Sequence, residues 1–421
     1  MKKTIAIIGG GASALALAAM LNETLFDIAI YERQATVGRK FLVAGDGGFN
    51  LTHSEDLGAF IARYKAPARY FSDPARYFRD PSVSDAQSHF LAQSLKSFTN
   101  NDTRDWLKNI GIETYIGTSK RVFPAKSIKP IQVLNAILDV LKTKKIAIHT
   151  KYLWQGWDAQ NDLIFQNNEV KKVVKADVVV FSLGGASWSK TGSDGQWLPF
   201  FQTQGIKTHA FQASNCAYQV AWDAAFLTQT EGKSLKNIAL SCGDMSKQGE
   251  VVVTKFGLEG GAIYALSPAI REQLTEGLAT VFVDLKPTLS LEDIKQKYAA
   301  KGNKSTTAFL KENLNLNETA IALLKNQLSK TEFTDSKILC AKIKKLPLSI
   351  IAAAPIDEAI STVGGIAFSE IDVHFQLKKL PNHYVIGEML DWDAPTGGYL
   401  LQACFSMGSY LAQWLNSPPQ Y

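Results

Sequence analysis

The chain has 421 residues, 46% of them hydrophobic and 20% charged, a balance that excludes global disorder and allows two or three domains at about 150 residues each. Lys+Arg 45 against Asp+Glu 39 gives a thinly spread net charge of +6. Its densest stretches, Lys142–Lys145 and Lys342–Lys345, read as solvated ends of helices or strands, so nucleic acid is not the favoured partner. Cys216, Cys242, Cys340 and Cys404 are scattered without a C-x-x-C, and the histidines show no H-E-x-x-H, which excludes a disulfide framework and leaves a metal site without support.

The N-terminus has the lysines, apolar run and small residues of a signal peptide. Its glycines argue for another reading: a strand at Thr4–Ile8, a glycine turn, a helix from about Ala12 to Asn22, and a second strand in "FDIAIYER". A cleaved leader would strip that second strand of its partner, so the expectation is a cytoplasmic protein. No apolar run reaches the roughly 18 residues that span a bilayer. After a glycine-rich segment, residues from about Pro67 to Ile110 read as helical, Pro130–Lys142 as an amphipathic helix, and "KKIAIHTKYLWQGWD" as strand and turn. A buried strand at Ala176–Ser182 runs into "LGGAS". From about Ser189 to Ala341 the texture becomes short alternating strands, then a polar helical stretch over Leu291–Ser329. "HYVIGEML" reads as a strand, and "GGYLLQACFSMGSYLAQWL" as a closing helix. The simplest organisation is a discontinuous α/β domain with an insertion near its middle.

Gly9-Gly10-Gly11-Ala12-Ser13-Ala14 follows a strand and opens a helix, matching G-x-G-x-x-[G/A]. Gly9 permits the turn, Gly11 lets a pyrophosphate approach the amides at the helix N-terminus, and Ala14 lets the helix pack on the sheet. Glu32 ends the second strand, where a carboxylate accepts hydrogen bonds from a ribose diol. FAD and NAD share this fingerprint. A flavin lies far from the adenosine and needs later backbone contacts, and three segments offer them. These are Gly38-Arg39-Lys40 with Gly45–Thr52, Leu183-Gly184-Gly185 after the buried strand, and Gly387-Glu388 through Asp391 with Thr396–Tyr399. A helix N-terminus at the last segment could stabilise a reduced flavin's N1–C2=O edge.

The segments "IAIIGGGASALALAAML", "GRKFLVAGDGGFNLTHSE", "RVFP", "ADVVVFSLGGASWSKTGSDG", "GEVVVTKFGLEGGAIYALS" and "GEMLDWDAPTGGYLLQACFSMG" resemble the YhiN/BaiN-like flavoprotein family, in its bacterial branch with a GEMLDW-type C-terminal motif. The resemblance runs over essentially the whole chain. It implies a discontinuous Rossmann-like FAD-binding domain of glutathione-reductase type, at 1–188 and 342–421, split by an inserted β-barrel and helical domain at 189–341.

By that resemblance Gly9, Gly11, Ser13 and Ala14 line the pyrophosphate and Glu32 holds the adenosine ribose, with Ala12 and Arg33 as further cofactor-binding candidates. Arg39, Lys40, Asn50, Leu51 and Thr52 contact the diphosphate or flavin, and the backbone near Leu153 reaches the adenine. Leu183, Gly184, Gly185, Gly387 and Glu388 line the cofactor, Asp391 faces the ribityl chain or diphosphate, and Gly398, Tyr399 and Leu400 lie under the flavin. Two departures stand out: Gly48-Phe49 replaces an Arg-Cys pair common in the wider family, which counts against a thiol mechanism, and Ala14 replaces the third glycine.

The chain lacks a second G-x-G-x-x-G, so NAD(P)H is expected only as a transient donor. Relatives associated with reducing conjugated enones do not fix the substrate. His53, Tyr399 and Arg121 are the acid, base and anion-binding candidates. Their bland readings are a loop histidine on a carbonyl, a packing tyrosine and a surface ion pair. Trp188, Trp197 and Trp222 read as core before pocket, and no catalytic residue is assigned. The leading expectation is an FAD-dependent oxidoreductase acting on a small, apolar molecule. The alternatives are a flavoprotein that switches partner binding with redox state, and an FAD-dependent RNA-modifying enzyme.

Overall fold

The structure, a computed structural model, describes residues 2–43, 48–64 and 90–417. The expected turn at Gly45-Asp46-Gly47, and the helical reading for the residues between Pro67 and position 89, lie outside the described residues. The chain divides into two compact units, 1–212 with 361–421, and 213–360.

The first unit is built on a five-stranded, wholly parallel sheet. In chain order its strands are β1 (Lys3–Ile8), β2 (Phe26–Glu32), β3 (Ala147–Thr150), β4 (Val178–Phe181) and β5 (His383–Val385), and their spatial order is β5-β4-β1-β2-β3. Continuous apolar runs suit parallel strands covered on both faces, and Ile5–Ile8 and Val179–Phe181 are buried throughout. Helix α1 (Ala12–Met20) buries seven consecutive residues, Ser13–Ala19, so it has no solvent face. Its small side chains allow close approach to α3 (Tyr399–Asn416), where a Cβ on Gly408 would sit 2.7 Å from Ser13 O and 2.9 Å from Leu17 N. Helix α2 (Pro130–Thr143) starts with proline in its first turn and buries Val133, Leu134, Ile137 and Leu141 on one stripe. Two small antiparallel sheets complete the unit: Thr52–His53, Arg121–Pro124 and Thr114–Ile116, and Tyr152–Trp157, Leu163–Asn167 and Val170–Val174.

The second unit carries a six-stranded antiparallel sheet in the order Tyr218–Gln219, Gly257–Glu259, Met245–Val253, Ser234–Cys242, Ala279–Asp284, Leu346–Ile350. Its ends meet. Beyond Ile350 the chain bonds back to the first strand through Gln219 N to Ala352 O (2.8 Å), Ile351 N to Gln219 O (2.9 Å) and Ala354 N to Ala217 O (2.8 Å). Closure of this kind removes exposed edges and makes the sheet a small barrel. The polar stretch after it folds as short helices stopped and started by their own caps. Ser290 with Asp293 and Ser329 with Glu332 are capping boxes, and Ser305, Asn317 and Asp335 cap three more.

The unit boundaries differ from the sequence expectation of 189 and 341. Residues 189–212 stay with the Rossmann unit because Phe201 packs with Trp154, Trp157 and Phe181, with 5.1 Å between the Phe181 and Phe201 ring centroids, and Trp197 packs on Phe201. At the other end Leu346–Ile350 is a barrel strand, paired to Ala279–Val283, so the insertion runs on to 360. The last predicted strand also stops early, at Val385. Gly387 turns the chain at φ +86°, and Gly387–Met389 forms a 3-10 turn.

Candidate cofactor site

The turn after β1 needs its glycines for different reasons. Gly9 has φ +100°, and a Cβ there would lie 2.3 Å from Ser182 O at the end of β4. Gly10, an unconstrained position in the fingerprint, is also fixed, because its Cβ would fall 2.4 Å from Val37 Cγ1. A Cβ on Gly11 would meet nothing within 4 Å. Its smallness therefore serves no packing need of the protein and leaves the amino end of α1 open. The first-turn N–H groups have no intrahelical acceptors and carry the positive end of the helix dipole.

Glu32 anchors the other side of this opening. Its carboxylate accepts from Gly10 N (2.8 Å) and Gln34 N (2.7 Å), leaving each oxygen a lone pair for a hydroxyl. Burial raises its pKa, against the lowering effect of those two backbone bonds. Lys151 N donates to Gln34 O (3.0 Å), which brings the strand carrying the exposed Leu153 beside the end of β2. Arg33 is paired with Asp194 (2.6 Å), and Arg39 donates to Lys190 O (3.2 Å), so the segment 190–194 flanks the same end.

The fold gathers distant motifs on the other side of the turn. Ser13 Oγ and Ser182 Oγ are 2.7 Å apart. Gly387 would place a Cβ 2.4 Å from Ser13 Oγ. Leu183 N donates to Met389 Sδ at 3.3 Å. Lys40 Nζ pairs with Glu388 Oε2 (2.8 Å) and donates to Ser187 Oγ (2.9 Å). Thr362 ties the group together, its N–H on Glu388 Oε1 (3.2 Å) and its hydroxyl accepting from Ala186 N (3.2 Å). Gly185 is required here, since a Cβ would meet Thr362 Oγ1 at 2.1 Å, and Gly184 has φ +74°. Sequence reasoning missed Ser187, Asp194 and Thr362. The first two lie in the "ASWSKTGSDG" segment that carries the family resemblance, whereas Thr362 gave no signal.

A third cluster surrounds the start of α3. Gly397 (φ +113°) and Gly398 (φ +103°) turn the chain, and a Cβ on Gly398 would lie 2.5 Å from the Thr52 carbonyl. Asn50 Nδ2 donates to Gly48 O (2.8 Å), whereas Asn50 Oδ1 and Thr52 Oγ1 are buried without a partner among the described residues. Leu51 is fully buried between them. The Tyr399 hydroxyl donates to Glu55 Oε1 (2.6 Å), and Arg63 grips the same carboxylate through Nε and Nη2 (3.1 and 2.8 Å). Burial opposes the Glu55 charge, yet the bonds from Arg63 and Tyr399 outweigh it and hold its carboxyl below the usual range. Burial and then Glu55 push the Tyr399 phenol up, so it is protonated at neutral pH. His53 stacks on Tyr399 with ring centroids 5.3 Å apart and accepts from Glu55 N on Nδ1 (3.2 Å), and burial lowers its pKa.

The remaining sequence candidates fall outside this cluster or at its margin. Leu400 is half-buried, and Asp391 is fully buried with its Oδ2 3.9 Å from His209 Nε2. Trp197 is core and donates to Gly184 O (3.1 Å), Trp222 packs on Phe226 in the barrel unit, and Trp188 is exposed in a left-handed conformation. Among the described residues no group of His, Cys, Asp and Glu could hold a metal ion, and no helix is long and apolar enough to cross a membrane.

The family described as the HI0933-like protein Rossmann domain matches residues 74–414. The chain belongs to this HI0933-like family. It is 24% identical over 429 residues to the 3-dehydro-bile acid delta(4,6)-reductase of Clostridium scindens, covering 97% of each chain. It is 23% identical over 295 residues to the ribosomal RNA dihydrouridine synthase of Haemophilus influenzae, covering 68% of this chain and 65% of the other. Among solved structures, it is similar to the 3-ketosteroid-delta4-(5alpha)-dehydrogenase of Rhodococcus jostii RHA1 in complex with 4-androstene-3,17-dione. That likeness has a TM-score of 0.47 at 11% identity and covers 98% of this chain and 95% of that one.

Proposed function

We infer that this HI0933-like protein is an FAD-dependent oxidoreductase, and we propose that it acts on a small, largely apolar molecule with NAD(P)H as a transient donor. What supports this reading is the presence of three glycine-lined clusters: the open amino end of α1 at Gly11, the Lys40–Glu388–Ser187 cluster, and Asn50 Oδ1 and Thr52 Oγ1, buried without a partner among the described residues. Orphaned buried polar atoms are rare in folded proteins, and here they fit a bound group with N–H and oxygen functions of its own. The full-length relative named as a reductase supports the reaction class.

FAD, when bound, supplies the hydride or electron transfer. The chain's residues bind and orient it. The first-turn amides of α1 hold the diphosphate, Glu32 takes the ribose hydroxyls, Leu153 neighbours the adenine, and Lys40 balances charge beside Glu388. Gly9, Ala12, Ser13, Ala14, Arg33, Arg39, Leu51, Leu183, Gly184, Gly185, Gly387, Asp391, Gly398, Tyr399 and Leu400 complete the proposed lining. Tyr399 keeps its proton and spends it on Glu55, which fixes the start of α3. All four cysteines are free, as fits a protein working in the reducing cytoplasm.

An anaerobic titration with NADH and NADPH, followed by flavin absorption, tests the donor. Bleaching at stoichiometric nucleotide is expected, and a spectrum indifferent to both sinks NAD(P)H as donor. Glu32→Ala is expected to weaken FAD about tenfold or more in equilibrium dialysis; unchanged affinity removes Glu32 from the site. The relative named as a ribosomal RNA dihydrouridine synthase favours a second reading, in which the same flavin chemistry serves an RNA base. Salt-sensitive RNA retention is required by that reading, and elution free of nucleic acid counts against it. A redox-sensing role without turnover is separated from both by steady-state turnover with a donor–acceptor pair.

A further inference from the structure

The chain has eight tryptophans. All but one are buried or half-buried and pack on another aromatic ring. Trp188 is the exception. It is 37% exposed, and its indole meets no other ring and makes no hydrogen bond through Nε1 among the described residues. Its backbone is also left-handed, at φ 62° and ψ 53°, a region that disfavours bulky side chains. Phe375 has a similar backbone (φ 67°), but its ring is fully buried, so packing offsets the strain. At Trp188 no burial within the chain offsets it.

Neighbouring groups hold this strained conformation in place. Thr191 donates to the Trp188 carbonyl through both N (2.8 Å) and Oγ1 (2.7 Å). Before it in the chain, Ser187 is fully buried and takes a bond from Lys40 (2.9 Å); after it, Arg39 donates to Lys190 O (3.2 Å). The chain thus fixes an indole at the surface, which lowers the ordering cost of a partner that stacks on it. Lys190, in the same turn, is exposed and has no carboxylate partner among the described residues, whereas Arg33 and Lys40 are neutralised by Asp194 and Glu388. A rigid aromatic face with an uncompensated ammonium suits a planar base that carries phosphate: the base stacks on the indole and the phosphate meets the cation. We propose that Trp188 and Lys190 dock the adenine and phosphate of the NAD(P)H donor, leaving its nicotinamide free for hydride transfer. This rests on the reading that NAD(P)H is the donor. A surface dock of this kind needs no second G-x-G-x-x-G, and the chain has none.

The test titrates the purified holoprotein with ADP-ribose, which carries the adenine and phosphates but no nicotinamide, and with ribose phosphate as the base-free control. Calorimetry reads binding, and tryptophan fluorescence reads stacking. ADP-ribose is expected to bind saturably and quench the indole, with ribose phosphate about tenfold weaker or worse. Trp188→Ala is expected to weaken ADP-ribose about tenfold at unchanged FAD content, and Trp188→Phe to stay within about threefold of wild type. Lys190→Gln is expected to weaken it about threefold and to flatten its salt dependence. Trp188→Gly relieves the left-handed backbone, so it is expected to melt no lower than wild type while losing the probe. No saturable ADP-ribose binding, or undiminished binding by Trp188→Ala, overturns the proposal. So does loss of FAD from Trp188→Ala, which would assign the indole to the flavin cofactor. A lowered melting temperature in Trp188→Gly also overturns it, by assigning the indole to the fold. An RNA oligonucleotide that needs Trp188 where ADP-ribose does not bind overturns it in favour of a nucleic-acid contact. ADP-ribose binding that needs Trp188, beside a flavin that neither NADH nor NADPH bleaches, keeps the nucleotide site and removes the donor reading, so the two fail separately.

Discussion

In the barrel unit, the strand Ala279–Asp284 turns Ala279, Val281 and Val283 inward at 0% exposure, and the surrounding helices close on their own side-chain caps. In the Rossmann unit, the interior near α1 and α3 is interrupted by left-handed glycines and by Asn50 Oδ1 and Thr52 Oγ1, which have no partner among the described residues. The barrel closes its sheet through the contacts of Gln219 with Ala352 and Ile351, although the Tyr218 hydroxyl stays buried without a hydrogen-bond partner among the described residues. In the proposed cofactor site, the bound group would supply the partners that Asn50 Oδ1 and Thr52 Oγ1 lack. A sheet that closes on itself serves stability, whereas at the Asn50 and Thr52 corner the orphaned polar atoms coincide with left-handed glycines, the combination that the proposed cofactor would complete.

The strongest challenge to this contrast is a cavity in the barrel. Leu240→Ala removes a fully buried side chain and is expected to cost about 3–4 kcal/mol. Chemical denaturation should show the loss, with FAD stoichiometry of the folded protein unchanged; flavin loss from folded protein would mean the barrel core serves the cradle. Gly9→Ala forces an L side chain into φ +100° against Ser182 O. It is expected to cost about 2–3 kcal/mol, and flavin should be lost as well. A variant that keeps its flavin would show that the turn tolerates the rearrangement.

Tyr399→Phe deletes the bond to Glu55 but leaves Arg63 on the carboxylate, so the expected loss is about 1 kcal/mol in thermal unfolding. A larger loss would make the phenol more than a clamp for α3. The smallest effect concerns pH. His383 sits on β5 with Nδ1 on Pro381 O (2.9 Å) and Nε2 buried without a partner, and burial lowers its pKa below 6.5. The folded state thus binds fewer protons than the unfolded one in the window below 6.5. The stability this histidine contributes is complete above that pH and is lost as pH falls through the window. His383, which stacks on Phe181, can be replaced by Phe, and His383→Phe is expected to flatten the acid-side fall of unfolding free energy by less than about 1 kcal/mol. His53 and His374, also lowered by burial, keep the remainder. An unchanged pH profile would remove His383 from the acid response.

Legibility from sequence followed the range of the interactions. The unit β1–turn–α1–β2 with Glu32 was readable because apolar runs, a glycine turn and a terminal acid report contacts made within a few residues or across one strand pair. The capped helices between Leu291 and Gln327 were readable as helical for the same reason, whereas the two that follow, to Lys344, lay beyond the helical stretch read from sequence. The surroundings of Arg121 were not legible, because pairing is a property of neighbours in space, and its neighbours, Gly397 and His53, belong to distant segments.

The sequence by itself determined a dinucleotide-type fingerprint, an interrupted α/β chain and the residues that carry the family resemblance. The tertiary structure decided where the units begin and end, at 213 and 360, because aromatic packing of Trp197 and Phe201 and the pairing of Leu346–Ile350 outweighed local texture. It also decided which polar groups are spent and which are free. Lys40 meets Glu388 across 348 residues and Tyr399 meets Glu55 across 344, and contacts at such separation leave no trace in local pattern, since only the folded chain brings their side chains within bonding distance.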